Sequence, residues 1–340
     1  LNQDNLLENI IDIVSSDAGF VALKNNGNVI SWGTTHGKTF ETQTSGSVLI
    51  TKKPQFYFLK KNVKSIYCNY NNAYAALLYD GSVILWGNTS YGGDSRGSFF
   101  PLKNIKKIYP LRIGFAFINE NNELTTCGHA DVNINGSDKG VYGTYYKAIN
   151  NFISAPAKLS NIVEVYHNEY YNVALNTSGR AIVWGTRYQA LNSGLKNILN
   201  TNTFVNAVTT KYCFSLIDIS GGVYAFGATN TYNGASGQWN DVSTDISKNI
   251  TRVVSSTYDF QCLRNDNVLI GIMGSGDLYR GVDYSNNDIR TSGSQQIHLP
   301  PNKYIIGRYK LQNIKDVFPS QYGFAAIDTS NNVICWGHKA

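Results

Sequence analysis

The sequence predicts an all-β protein made of one short antiparallel sheet repeated seven times. Three observations lead there: the composition, a phrase that recurs along the chain, and the turn dipeptide inside that phrase. Within 340 residues there are 31 Gly, 23 Tyr and 40 Asn, against a single Met and 15% charged residues. Gly and Asn suit turns, and Tyr, Val, Ile and Thr suit strands; long helices would call for Ala, Leu, Glu, Lys and Met instead. Aromatic content of 13% with so little charge excludes a disordered chain. Seven prolines exclude collagen-like or proline-rich architectures. No apolar run approaches the ~18 residues of a membrane helix, so membrane insertion is not expected.

The phrase is clearest at the two ends. Residues 9–33, NIIDIVSSDAGFVALKNNGNVISWG, align without a gap on 313–337, NIKDVFPSQYGFAAIDTSNNVICWG. It recurs at 62–87, 104–128 and 161–185, and more weakly at 204–227 and 250–274, which makes seven copies. Each copy reads as three strands. The first is Ile-x-x-Val, whose period does not by itself fix a face. The second is aromatic-x-Ala-Leu, as at Phe20–Leu23, with Phe20, Tyr74, Phe115, Asn172, Phe214, Phe260 and Phe324 at the aromatic place. A two-residue turn follows, such as Asn26-Gly27, Asp80-Gly81 or Ser178-Gly179, a hairpin signal because such turns need positive φ. The third strand closes on a large residue before Gly: Trp32, Trp86, Cys127, Trp184, Phe226, Met273 and Trp336. This implies packing between neighbouring sheets, with the chain turning at the Gly.

Successive copies lie 41 to 64 residues apart, the length of one propeller blade of three or four strands. The sequence therefore predicts a single domain over 1–340: a seven-bladed β-propeller, closed as a ring. Near-identical end copies favour a ring over an open solenoid, whose terminal repeats would be polar caps. Only three residues follow the last Trp-Gly, so the closing sheet is expected to borrow a strand from residues 1–9 or the chain is truncated. The chain also begins at Leu1, which suits a mature form or a domain of something larger.

These copies resemble the regulator-of-chromosome-condensation repeat family, through the Ile-x-x-Val start, the aromatic-x-Ala-Leu-x-x-x-Gly-x-Val centre and the closing Trp-Gly. The resemblance implies a seven-bladed propeller. The Asn-x-x-Gly-Gln-Leu-Gly continuation of eukaryotic copies is absent; Trp86–Ser95 reads WGNTSYGGDS, which looks like a bacterial branch found within surface or secreted proteins. It further implies one of three roles: exchange factor for a small GTPase, protein inhibitor of an enzyme, or interaction module. The expectation is a non-enzymatic recognition module from a bacterial adhesin, toxin or effector, binding a protein or cell-surface glycan. The alternatives are a GTPase regulator and, further off, a glycan hydrolase.

No catalytic constellation accompanies the repeats. His36, His129, His167, His298 and His338 show no metal-ligand spacing, and there is no G-x-S-x-G or P-loop, so neither metal nor cofactor is expected. Gly92-Gly93-Asp94 and Gly274–Asp277 read as turns rather than phosphate or Ca²⁺ loops. Five cysteines without a C-x-x-C pair argue against a disulfide framework and suit a reducing compartment, against the surface setting that the resemblance implies. Cys127 and Cys335 fall on third strands, Cys213 and Cys262 on second strands, and Cys68 in the turn after a first strand. Net charge is +6, with the excess in the first 112 residues around Lys52, Lys53, Lys60, Lys61, Lys64, Lys103, Lys106 and Lys107. These read as a solvated edge that deters sheet pairing, and nucleic acid is not an expected partner.

The resemblance also points to the turn before the second strand as a binding face. Two residues before each second-strand aromatic position stand Ala18, Asn72, Ile113, Tyr170, Tyr212, Tyr258 and Tyr322, with Arg112 beside Ile113. Four consecutive copies carry Tyr, while flanking residues vary: Asp17, Arg112, Glu169, Lys211, Asp259 and Gln321. A tyrosine crescent beside variable charge suits a specific surface, and tyrosines packed against the neighbouring blade are the other reading. Tyr142, Tyr145 and Tyr146, and Tyr279 and Tyr284, in the long connectors, are secondary candidates.

Overall fold

The computed structural model describes residues 7–17, 19–35, 46–48, 62–93, 102–128, 159–185, 193–229, 237–241, 246, 248–257, 259–273, 290–291, 308–321 and 323–337. They form seven antiparallel sheets of three or four strands, one for each copy of the phrase. In each sheet the three strands of the phrase lie side by side in chain order, so the first strand is always an edge. Sheet 1, for example, pairs Ile10–Ser15 with Gly19–Lys24 and Gly19–Lys24 with Val29–Thr35, and adds Gly46–Val48.

The Ile-x-x-Val spacing has a geometric cause. Six first strands carry a register shift after their first residue, as between Ile10 and Asp12 and between Val63 and Ser65. One extra residue in a strand returns positions three apart to the same face. Val63 and Ile66 are accordingly both buried, as are Ile105 and Ile108.

The asparagines fill left-handed positions. All ten non-glycine residues with positive φ among those described are Asn. Asn9, Asn62, Asn104, Asn161, Asn249 and Asn313 each precede a first strand at φ 56–71°. The hairpin between second and third strands differs from the expected two-residue turn. Gly27 N–H donates to the Lys24 carbonyl, and Gly27 (φ 77°), not Asn25 or Asn26, is left-handed. This is an ordinary turn followed by one αL residue, a place taken by Gly27, Gly81, Gly179 and Gly221 and by Asn122, Asn267 and Asn331.

That residue also staples one sheet to the next. Its carbonyl accepts from the first strand of the following copy: Gly27 from Val63, Gly81 from Ile105, Asn122 from Ile162, Gly179 from Phe204, Gly221 from Ile250, and Asn267 from Ile314. A Cβ on Gly81 would sit 3.0 Å from the Asn104 Cα, so the contact needs the small residue as well as the φ.

The chain forms two compact units: 1–165 with 184–186, and 166–183 with 187–340. In the first unit, Val21, Leu23 and Val29 of sheet 1 pack on Val63, Ile66, Tyr74, Ala76 and Trp86 of sheet 2. Ala73, Ala75, Leu77 and Leu85 on the other face of sheet 2 pack on Ile105, Ile108, Phe115, Phe117 and Cys127 of sheet 3. The second unit repeats this rule, sheet 4 on sheet 5, sheet 5 on sheet 6 and sheet 6 on sheet 7. Aromatic pairs across second and third strands recur inside these layers: Tyr74–Trp86 at 5.6 Å, Phe214–Phe226 at 5.8 Å and Phe324–Trp336 at 5.7 Å.

Several expectations need correction. In sheet 6 the residue opposite Phe260 is Ile272, and Met273 takes the place of the closing Gly, opposite Asp259. The large-residue column therefore continues through Ile272. Cys68 ends the first strand of sheet 2 instead of lying in a turn, and its thiol donates to the Ser15 carbonyl. Sheet 7 takes its fourth strand from Arg290–Thr291, in the connector after sheet 6; of the residues 1–9 expected to supply it, 7–9 do not, and 1–6 lie outside the described residues. One helix, Ser193–Thr201, occupies the connector after sheet 4, where its Leu199 joins the layer between sheets 4 and 5. No helix among the described residues is long and apolar enough to cross a membrane.

Candidate functional site

The first turn, between first and second strands, is built by its opening residue. Ser16, Asn168, Thr210, Ser256 and Ser320 donate their N–H to the carbonyl three residues on, at 2.8–2.9 Å. Their side chains bond the same turn: Asn168 Oδ1 accepts from Tyr170 and Tyr171, and Thr210 Oγ1 accepts from Cys213. Ser, Thr and Asn are favoured here because a short polar side chain can satisfy the turn's own backbone. Sheet 3 manages with buried Leu111, which pairs with Gly114 across the turn Arg112-Ile113.

In the second unit these turns are tied into a belt. Glu169 N–H donates to Lys211 O (3.0 Å), Lys211 N–H to Thr257 O (2.8 Å), and Thr257 N–H to Gln321 O (3.0 Å). Two side-chain hydrogen bonds and one ring stack reinforce the same end of the sheets: Asn168 Nδ2 to Cys213 O, Ser255 Oγ to Thr209 O, and Tyr170 stacked on Tyr212 at 5.4 Å. The edge is tied turn to turn, and the residues that tie it differ from copy to copy: Glu169, Lys211, Thr257 and Gln321.

The predicted residues fall unevenly on it. Tyr170 is half-buried, whereas Tyr212 is 8% exposed, packed between the layers with the Lys211 ammonium 5.2 Å from its ring centre. Tyr258 and Tyr322 lie outside the described residues, as do Ala18, Tyr142, Tyr145, Tyr146, Tyr279 and Tyr284. Asp259 is not a flanking surface residue. It opens a second strand at 2% exposure, and Thr257, the residue before Tyr258 as Glu169, Lys211 and Gln321 are before their tyrosines, holds the flanking place.

In the first unit, Arg112 and Ile113 form the turn of sheet 3 and are both half-buried. Asn72 is buried, because the turn of sheet 2 is one residue longer than the others. It runs Tyr70-Asn71-Asn72, with Asn72 left-handed at φ 60°. Ser16 Oγ donates to Asn72 Oδ1 at 2.5 Å. The outward residue is Tyr70, 68% exposed, which counting back from the aromatic missed.

The basic residues are partly committed. Lys106 Nζ bonds Asn122 Oδ1, and Lys107 pairs with Glu164 at 3.0 Å, both on first strands. Lys52, Lys53, Lys60 and Lys61 lie outside the described residues. Among the described residues no cluster of His, Cys, Asp and Glu could hold a metal ion. All five cysteines are free, and burial pushes the Cys68 thiol up to about 11 and that of Cys127 up to about 12. Burial likewise raises the Cys213 thiol, which disfavours the reactive thiolate in all three.

No family model matches the chain, and no curated protein matches it. Among solved structures it is similar to Prp20p from Saccharomyces cerevisiae, at 14% identity and a TM-score of 0.45, with 97% of this chain and 83% of that one covered. It is similar to human WBSCR16 at 12% identity and a TM-score of 0.44, covering 97% and 87%. It is also similar to the β-propeller domain of Cps50 (Swd1) from Myceliophteria thermophila, at 11% identity and a TM-score of 0.33, covering 97% of both chains. None of these likenesses bears on a bacterial surface setting, a toxin role or a glycan partner.

Proposed function

We propose that the seven sheets are the blades of one closed propeller, a relative of the regulator-of-chromosome-condensation repeats, and that the chain recognises a protein partner through its first-turn edge. The ring is supported by the two end sheets. Ile13 is 54% and Phe20 45% exposed, whereas their equivalents in sheet 2, Ile66 and Tyr74, are 3% and 0% exposed. In sheet 7 the opposite face is the open one. Val333 is 39% exposed and Cys335 is exposed, where their counterparts Leu124 and Leu85 are 0% and 4% exposed. Sheet 1 lacks a predecessor and sheet 7 a successor, and each offers the half-layer that the other needs.

The recognition role is carried by one observation: a backbone-tied belt of turns, Glu169 to Gln321, that holds variable side chains on a fixed frame. Binding surfaces gain affinity when their contact groups are ordered beforehand. Tyr170 supplies an amphipathic ring at that edge, and Tyr258 and Tyr322 hold the equivalent places in the sequence.

Two experiments test this reading. In a closed ring Cys335 is covered and reacts with maleimide only as the protein unfolds; rapid labelling of the folded chain overturns closure. Cys127, Cys213 and Cys262 are buried and Cys68 has a raised pKa, so the rate reads Cys335 alone. For recognition, Tyr170→Ala combined with Tyr258→Ala is expected to weaken a captured protein partner at least tenfold. Unchanged affinity in a folded double variant overturns the tyrosine edge as the site.

A further inference from the structure

The first turn of sheet 2 is the one place among the described first turns where a residue has been added, and the addition changes what faces solvent. The turn opens with Asn69, whose Oδ1 accepts from the Asn71 and Ala73 N–H groups, both at 3.1 Å. Its Nδ2 donates to the Tyr91 carbonyl at 2.9 Å and the Gly114 carbonyl at 3.4 Å. Asn71 Nδ2 donates to the Arg112 carbonyl at 2.7 Å, and Asn72 closes the turn left-handed while accepting from Ser16. Three asparagine side chains are thus turned to the protein, and Tyr70 between them is turned to water at 68% exposure. Tyr70 belongs to neither of the described packed layers on the two faces of sheet 2.

We propose that this edge of sheets 2 and 3 is a contact surface for an extended protein segment, with Tyr70 as anchor and Arg112 and Ile113 beside it. The proposal rests on the reading of the chain as a protein-binding module and adds a location and a partner chemistry. A tyrosine held by a bonded turn gives a large amphipathic contact at little entropic cost, which is why Tyr and Arg dominate binding energy at interfaces. The Asn71 amide bonded to the Arg112 carbonyl ties the two turns to each other, so Tyr70 and the Arg112-Ile113 turn stand on one backbone frame. Guanidinium groups select carboxylates. Asp17, exposed on the neighbouring turn of sheet 1, repels an acid at the other end and sets the direction of the segment. The ligand class is therefore a peptide with a carboxylate placed over Arg112 and apolar side chains against Tyr70 and Ile113.

The test is selection of a random-peptide phage library on the intact chain, followed by affinity measurement on the enriched peptides. Enrichment of peptides with Asp or Glu next to apolar residues is expected, with binding reduced about tenfold or more by Tyr70→Ala and by Arg112→Ala. Tyr70→Phe should keep most of the affinity and guards against a folding defect. Tyr79→Ala is the matched control, an equally exposed tyrosine (73%) at the opposite end of the same sheet, and should change nothing. Enriched peptides that bind Tyr70→Ala as well as the parent, peptides without acidic residues, or no enrichment at all each overturn the proposal. Loss of binding only with Tyr170→Ala plus Tyr258→Ala would overturn this surface while leaving the recognition module standing.

Discussion

Sheets 1 and 2 carry the same phrase, yet their equivalent residues live in different surroundings. Ile66 and Tyr74 are sealed under sheet 1. Ile13 and Phe20, with the same bulge and the same register toward the second and third strands, are both exposed to water. The hydrogen-bond ladder therefore makes the sheet, and only the neighbour makes its core. A repeat whose hydrophobic face is finished by the next copy has no core of its own.

Substitutions on the two sheets separate these contributions. The largest effect is expected from Tyr74→Ala, which empties a fully buried site beside Trp86. It should cost about 3–5 kcal/mol in denaturant unfolding, and a loss below about 1 kcal/mol would mean that the layer between sheets 1 and 2 adds little. Phe20→Ala is the sharper measurement. A closed ring predicts a loss of about 2–4 kcal/mol, near that of Phe324→Ala, whereas an uncovered sheet 1 predicts under about 1 kcal/mol.

A smaller effect belongs to the staple between the sheets. Gly81→Ala forces a Cβ into the left-handed region against Asn104 and is expected to cost about 1–2 kcal/mol. Asn122→Gly, at the equivalent place one copy later, should stay within about 0.5 kcal/mol, because the conformation is already tolerated there. Equal losses at both positions would show that the contact, not the backbone conformation, sets the cost.

The smallest effect is a pH dependence. Hydrogen bonds from the Asn332 side chain and from the Asn332 and Ser330 N–H groups hold the Asp328 carboxyl below its usual value. A depressed carboxylate contributes stability that is present above its unfolded pKa, about 3.9, and lost as pH falls through the lower folded value. Asp80, bonded by Ser82, shifts the same way. Asp328→Asn should flatten the acid limb of a stability–pH curve below about pH 4 and leave neutral pH almost untouched. An unchanged acid limb would assign it to other carboxylates.

Much of the architecture was legible because each signal is local. The recurring phrase marked the three strands of every sheet, and the Asn and Gly counts marked the turns. Local spacing does not show a shifted register or a lengthened turn. Strand pairing places Ile272, not Met273, opposite Phe260, and the extra residue in the turn of sheet 2 puts Tyr70, not Asn72, in solvent. At Thr257 equal spacing does hold, and Asp259 is drawn into the strand that follows. Tyr212 was legible as part of a column but not as buried, since burial depends on Tyr170 and on the sheet 6 residues packed against it, which come from other segments.

By itself the sequence determined the number of sheets, three strands of each and where the chain turns between them, because these follow from side-chain periodicity and backbone preference within about 25 residues. The tertiary structure alone decided which face of each sheet is covered, why Ile-x-x-Val has a period of three, and which turn residue meets solvent. A bulge, a register and a neighbouring layer are relations between segments, and hydrogen-bond geometry and close packing fix them only when the segments meet.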